Sequence, residues 1–249
     1  MTDTSPATWL SNRSVLRVSG AGARDFLQGL VTQDLGRVAP DHPQWSGLLT
    51  PQGKALFDFI LWDGGEDSVL IDVESASAEA LARRLTLYRL RRAVEIEAVP
   101  ALSVHWAVGG DNGVPDPRLP VLGRRWLSEE RGTPVDDEWL KQRLTLGVTE
   151  GVGELGSDKT LWLECNAREL NGVSLTKGCY VGQENTARMH YRSKVNRRLM
   201  VAPLGDETER TRARYPALGL MVEHRRVEAP GDARMPDWLA EALVEPIVD

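Results

Sequence analysis

Residues 177–184 read Lys-Gly-Cys-Tyr-Val-Gly-Gln-Glu, and this octapeptide restricts the chain more than any other stretch. Glycines at 178 and 182 free the backbone for a tight path, and residues 183–192 then run without a helix breaker as far as Ser193. The spacing predicts a loop running into a helix, with Cys179 near the helix start. Unpaired backbone N–H groups and the positive end of the helix dipole favour an anion there, and Lys177 adds positive charge. That setting suits a thiolate, which ligates metals or attacks electrophiles. The commoner use of a single cysteine is as a small buried apolar residue.

At 249 residues the chain exceeds one typical domain, so two or three compact units sharing a core are expected. Its 41% hydrophobic and 27% charged residues exclude a disordered or fibrous chain. No apolar run reaches the roughly 18 residues of a membrane span, so no membrane association is expected. The opening MTDTSPATW has an acid and no apolar h-region, which predicts a cytoplasmic address. The net charge of −6 argues against an overall grip on nucleic acid, and direct nucleic-acid binding is not expected. A local basic patch is present in Arg188, His190, Arg192, Lys194, Arg197 and Arg198. Cys165 and Cys179 are the only cysteines and match no zinc or ferredoxin spacing, so no resident metal site is expected and one chain cannot hold a cluster with cysteines alone.

Taken in order, residues 13–18 alternate as a strand, and Ser19-Gly20 opens a helix with Phe26, Leu27, Leu30 and Val31 on one face. Gly20-Ala21-Gly22 lacks the third glycine of a dinucleotide fingerprint, and Asp25 stands where a phosphate would sit. Strands follow at WSGLLT, ALFDFILW and SVLIDV, joined by turns at Pro51-Gln52-Gly53 and Asp63-Gly64-Gly65. Ser75 can cap a helix over about 76–88 with Leu81, Leu85 and Tyr88 on one stripe, before strands at 94–99 and 102–108. Residues 109–120 read as a linker, and Asp136 as the cap of a helix ended by Gly147. Gly151-Val152-Gly153-Glu154-Leu155-Gly156 spells GxGxxG but follows a helix, so it reads as a chance match in a loop. Beyond Leu199, short strands and a closing helix flank a polar loop, ETERTRARYP.

The octapeptide resembles the signature of the YgfZ-type folate-binding proteins, iron–sulfur assembly factors related to the glycine-cleavage T-protein, an aminomethyltransferase. The resemblance covers roughly residues 13–198. VSGAGARDFLQGLVTQDL resembles the family's opening block, which implies that Gln33 and Asp34 border a central folate cavity. LLTPQGKALFDFIL resembles the T-protein segment with two adjacent aspartates; here Phe57 replaces the first, and the resemblance implies that the remaining Asp58 is a folate contact. TLYRLRR resembles the family's arginine-rich segment, which implies that Arg89 and Arg91 meet the folate glutamate tail. Glu164, in a leucine-glutamate-x-asparagine block, matches the glutamate that holds the amino edge of the pterin, a task suited to a carboxylate facing two N–H donors. Tyr180, Gln183 and Arg198 complete the implied folate set, and Cys179 is the implied functional thiolate.

The implied fold is α+β, a T-protein-like three-lobed arrangement around a folate cavity with a ferredoxin-like sheet layer. Its expected parts are a discontinuous folate-binding domain (1–44 plus 121–196), a ferredoxin-like domain (45–120) and a small C-terminal β-barrel (197–249). The implied function is that of a tetrahydrofolate-binding accessory protein for iron–sulfur cluster assembly or repair, acting through Cys179. Its implied partners are a reduced folate and iron–sulfur assembly proteins or apo-enzymes. One alternative is a folate-dependent aminomethyltransferase or demethylase, against which Phe57 counts. The other is a tRNA-modification factor, as an indirect consequence of cluster supply.

Overall fold

The computed structural model describes residues 7–192 and 195–244. Strand β1 (Arg13–Ser19) leads to helix α1 (Ala23–Gln28), then to β2 (Gln44–Leu49), β3 (Ala55–Asp63) and β4 (Ser68–Glu74). Helix α2 (Ser75–Arg89) and β5 (Glu95–Ala98) follow. These strands form one antiparallel sheet of order β2-β3-β4-β1-β5, so β1 lies in its interior, paired with both β4 and β5. The sheet therefore runs across the position-44 boundary drawn from sequence.

Alternation along the strands divides the core between the two faces of this sheet. Leu16, Val18, Phe59, Leu61, Ile71 and Val73 meet Leu81 and Leu85 of α2 and Phe26 and Leu27 of α1. Leu81 and Leu85 are fully buried, and each stabilises the fold by about 1.5–3 kcal/mol. Val15, Ile60 and Trp62 belong to the opposite face, with Trp106, Trp139 and Trp162. All six residues of β2 are buried.

The second part begins with a three-stranded sheet, order β6-β8-β7, from β6 (Ser103–Ala107), β7 (Val114–Pro115) and β8 (Arg124–Ser128). Helices α3 (Asp136–Thr145), α4 (Gly151–Leu155) and α5 (Gln183–Arg192) come next. Strands β9 (Arg197–Pro203), β10 (Thr211–Tyr215) and β11 (Leu220–Arg226) form the last sheet, order β10-β11-β9, before α6 (Asp237–Val244).

Several expectations change. Among the described residues the C-terminal strands make an open three-stranded antiparallel sheet, not a barrel. Its flanks pack on the rest of the protein, with β10 against α4 and β9 against the turn at 162–165, which covers the sheet without closure. The linker holds β7, and the polar loop holds β10. The GxGxxG stretch is the short helix α4 rather than a loop, with Glu154 turned inward to Arg143 at 2.7 Å. Asp136 is the first residue of α3 rather than its cap; it accepts from Ser11 N, Ser11 Oγ and Asn12 N at 3.2, 2.6 and 2.9 Å, fastening the entry to β1. Ser75 likewise opens α2 after Glu74, and its N–H donates to Asn12 O.

Candidate functional site: an exposed cysteine on a pinned loop

The loop ahead of α5 is held at both ends. Lys177 Nζ donates to the backbone oxygens of Val31 (2.6 Å) and Gln33 (2.9 Å), just past α1, and lies 5.2 Å from the Tyr180 ring centre. Burial of this ammonium lowers its pKa to about 8, although Asp34 acts in the opposite sense. Burial also pushes the Tyr180 phenol up to about 12, against a hydrogen bond with Thr186. At the other end Gly182 has φ +85°, and a Cβ there would stand 2.6 Å from Thr50 O. Only glycine tolerates both the conformation and the approach. Asn185 Nδ2 donates to Gln52 O at 2.9 Å and Thr186 Oγ1 to Gly182 O at 3.0 Å, so the β2–β3 turn doubles as the seat of α5.

Cys179 stands exposed between these anchors, whereas Cys165 is buried. Burial, and then the nearby Glu164 and Asp58 carboxylates, push the Cys165 thiol well above its usual range. The loop-to-helix reading holds. Helix α5 starts at Gln183, so Cys179 lies in the loop four residues ahead of it and not in its first turn.

The other sequence-derived residues are spread across the protein. Asp58 is 3% exposed and accepts from Trp45 Nε1 (3.2 Å) and Gly151 N (3.1 Å). Its pKa rises to about 6 through burial first and then the neighbouring Glu150, with Arg13 opposing. Glu164 is half-buried; its Oε2 accepts from Leu161 N at 3.2 Å and stands 3.2 Å from His224 Nε2 in β11, a spacing whose geometry falls short of a hydrogen bond. Arg198 is buried and forks onto Glu169 with two bonds of 2.8 Å, a third going to Asn166. Arg89 donates to Val94 O within its own turn, and Arg91 is exposed. Gln183 is the half-buried first residue of α5, and Gln33 reaches Asn171 O at 2.8 Å. Asp34 caps the turn after α1 by accepting from Gly36 N. Of the basic patch, Lys194 and the Arg192 side chain fall outside the described residues, as do residues 1–6 at the chain start.

Sequence reasoning missed a charge cluster in the core. Arg118, from the presumed linker, is 0% exposed and bonds Asp116 and Glu150. Arg125 joins Asp72 (2.7 Å) to Asp116 (3.3 Å), Arg13 joins Asp72 (2.6 Å) to Glu150 (3.4 Å), and Trp139 Nε1 donates to Glu150. Its one legible trace was Asp-Pro-Arg, an acid and a base two apart in a stretch read as a linker. Beside the cluster lies a cleft of about 270 Å³, lined by Glu74, Asp137, Trp139, Arg143, Glu154 and Tyr215 among others. None of Asp58, Glu164, Tyr180, Gln183, Arg89, Arg91, Arg198 or Cys179 lines it.

A pH dependence follows from Asp58. An acid with a folded-state pKa near 6 and an unfolded value near 3.9 binds its proton more tightly in the native protein, so its contribution to stability falls as pH rises from about 4 through 6. Asp58→Asn carries a constant cost, because one of its two donors loses its acceptor, but no such slope. The wild-type stability minus that of Asp58→Asn, from urea unfolding, is expected to drop by about 2–3 kcal/mol between pH 4 and 7. A pH-independent difference would show that Asp58 titrates normally.

Comparison with known proteins follows the fold and the loop. The chain is 34% identical over 238 residues to the human mitochondrial iron-sulfur cluster assembly factor IBA57, a match covering 79% of this chain and 67% of that protein. The mouse counterpart is 33% identical over 234 residues (78% and 65%), and the Neurospora crassa IBA57 homolog 31% over 229 (78% and 52%). The chain thus spans from about half to two thirds of the length of these curated relatives. Among solved structures, the glycine cleavage system aminomethyltransferase T from Bartonella henselae superposes with a TM-score of 0.62 at 14% identity, over 90% of this chain and 80% of that one. That likeness establishes a T-protein-like α+β fold built on antiparallel sheets. No family model matches the chain. Among the described residues no helix is long and apolar enough to cross a membrane. The cytoplasmic address is overturned, because these relatives are mitochondrial proteins. An address is read from a targeting segment by a receptor, and nothing in the folded core encodes it.

Proposed function

We propose, from the premise that the chain belongs to the family of IBA57 iron-sulfur cluster assembly factors, that it serves cluster assembly or repair through Cys179, with a reduced folate as ligand. One observation carries this reading: the thiol is exposed on a loop whose two flanks are fixed by Lys177 and Gly182. A fixed, accessible sulfur can meet a cluster, a persulfide or a partner's metal without the entropic cost of ordering a flexible segment. With one exposed cysteine, the remaining ligands of any cluster held there come from the partner, which makes the iron–sulfur assembly proteins and apo-enzymes the fitting partners.

Tetrahydrofolate fits the implied residues in part. Glu164 and Gln183 are half-buried and retain polar atoms for a pterin edge, and Arg91 is exposed. Asp58 is sealed beneath Trp45, and Arg198 is committed to Glu169. A ligand role for either requires that those internal bonds open. Phe57, in place of the first aspartate, speaks against full aminomethyl transfer.

Rescue of a cluster-dependent enzyme in cells lacking the protein tests the reading. Cys179→Ser is expected to abolish rescue with the fold intact, while Cys165→Ser rescues as the wild type does. In the parent, Cys179 is expected to alkylate far faster near neutral pH than the buried Cys165. Full rescue by Cys179→Ser would reduce the octapeptide to a structural turn. For the ligand, calorimetry with tetrahydrofolate is expected to give micromolar-class binding, about 8 kcal/mol, reduced by roughly 1.5–3 kcal/mol in Glu164→Ala. Absence of heat with the wild type would remove folate from the account.

A further inference from the structure

Leu87 and Leu90 are 71% and 84% exposed, the two most exposed large apolar side chains among the described residues. They stand three apart in the sequence at the C-terminal end of α2, Leu87 in its last turn and Leu90 as the residue that ends it. Leu90 also has φ +52° and ψ −116°, a backbone region open to glycine and disfavoured by any Cβ. Glycine would make this turn more easily, so the turn alone does not account for a leucine whose side chain points into water. Strain held at an exposed apolar residue calls for an external contact to explain it.

Charge supplies the second line. The chain carries a net charge of −6, yet residues 80–94 contain five arginines and no acid. Arg91 and Arg92 are exposed and have no carboxylate partner among the described residues; Arg92 instead lies 5.9 Å from the Phe26 ring centre. Exposed carboxylates border the arginines, with Glu79 paired to Arg83 at 2.7 Å and Glu95 and Glu97 on β5. We propose that this end of α2 is a docking surface for a partner protein that offers an apolar socket ringed mainly by acidic side chains. A bilayer is the weaker match, since two leucines give little insertion and the bordering carboxylates repel anionic headgroups. A protein surface can answer both signs of charge in register.

The surface is distinct from the cysteine loop but close to it in the fold. Helix α1 holds Phe26, under Arg92, and Gln28, whose Nε2 is 3.4 Å from Lys177 O. A partner that engages Arg92 at this surface thus adjoins the helix whose last residue meets the loop.

The test places a photo-crosslinking residue at position 87 of the full chain in cells, with position 108 as control, because Val108 is comparably exposed at 64%. The protein captured from position 87 is then identified and purified, and its affinity measured. The Leu87→Ser/Leu90→Gly and Arg91→Glu/Arg92→Glu double variants are each expected to weaken its binding about ten-fold or more. Leu90→Gly is expected to raise the thermal midpoint, which shows that loss of binding is not loss of fold. Cys179→Ser is expected to bind as the wild type does, so this outcome stands whatever its rescue assay gives. Equal crosslinking at 87 and 108, or variants within about three-fold of wild-type affinity, would overturn the proposal. So would sedimentation of the wild type, but not of Leu87→Ser/Leu90→Gly, with vesicles containing anionic phospholipid, since that result assigns the surface to a membrane.

Discussion

Arg118→Met is expected to destabilise the fold by about 3–5 kcal/mol, a large part of the roughly 5–15 kcal/mol that holds a domain folded. The guanidinium is fully buried and donates to Asp116 Oδ1 at 2.9 Å, Asp116 Oδ2 at 2.8 Å and Glu150 Oε2 at 2.6 Å. It also lies 5.3 Å from the Trp139 ring centre. Methionine keeps part of the volume and removes the charge. Asp116 and Glu150 then remain buried with less compensation, although Arg125 and Arg13 still stand nearby. The burden falls on these two carboxylates because burial pushes both up while the arginines hold Asp116 below its usual value and Glu150 well below its own. Urea unfolding measures the loss, and a drop under about 1 kcal/mol would show that the remaining arginines suffice. Arg118→Met/Asp116→Leu is expected to recover part of it, because removing both members of a buried pair costs less than removing one.

Gly182→Val is expected to cost about 2–5 kcal/mol and to release the cysteine loop. A positive φ costs a side chain roughly 1–2 kcal/mol, and forcing atoms into a packed site roughly 1–3 kcal/mol more. Here the obstruction is backbone, with Thr50 O at 2.6 Å and Gly53 Cα at 3.1 Å from a Cβ, so no side chain can swing away. Limited proteolysis is expected to cut near residues 175–183 in the variant and not in the parent, and rescue of cluster-enzyme activity is expected to fall with it. Gly178→Ala is the matched control. It shares a positive φ of +94° but meets no atom within 4 Å, so only the conformational cost applies and the loop stays seated. Equal behaviour of the two variants would mean that conformation, not close approach, sets the loop.

The contrast between these sites follows what the sequence made legible. β1, β3, β4 and α2 were readable because apolar residues recur at periods of two and of three to four, and their bounds differ from expectation by only a residue or two. β10 was not, since Thr-Arg-Ala-Arg-Tyr presents charge where a strand signal needs apolar residues. Asp116 and Arg118 failed for the same reason, as each makes the other buriable through partners up to 32 positions away in the sequence. The loop into α5 was legible from its glycines. Helix α5 begins at Gln183, directly after Gly182 with its positive φ, and Cys179 stands four residues ahead of it, near the helix start as read. Glu164 was found only through a resemblance, and its neighbour His224 lies 60 positions downstream, beyond any local pattern.

The anchors of the cysteine loop share one chemical trait. Lys177, Asn185 and Thr186 all donate to main-chain oxygens, those of Val31, Gln33, Gln52 and Gly182, and Gly182 itself abuts the main chain at Thr50 and Gly53. Every residue supplies such an oxygen whatever its side chain. The receiving half of the fastening is therefore blind to residue identity, and side chains at 31, 33 and 52 can drift freely so far as this fastening is concerned. The burden of inheritance falls on the donating half, the few residues around the sulfur, which can stay recognisable in descendants whose remaining sequence has diverged.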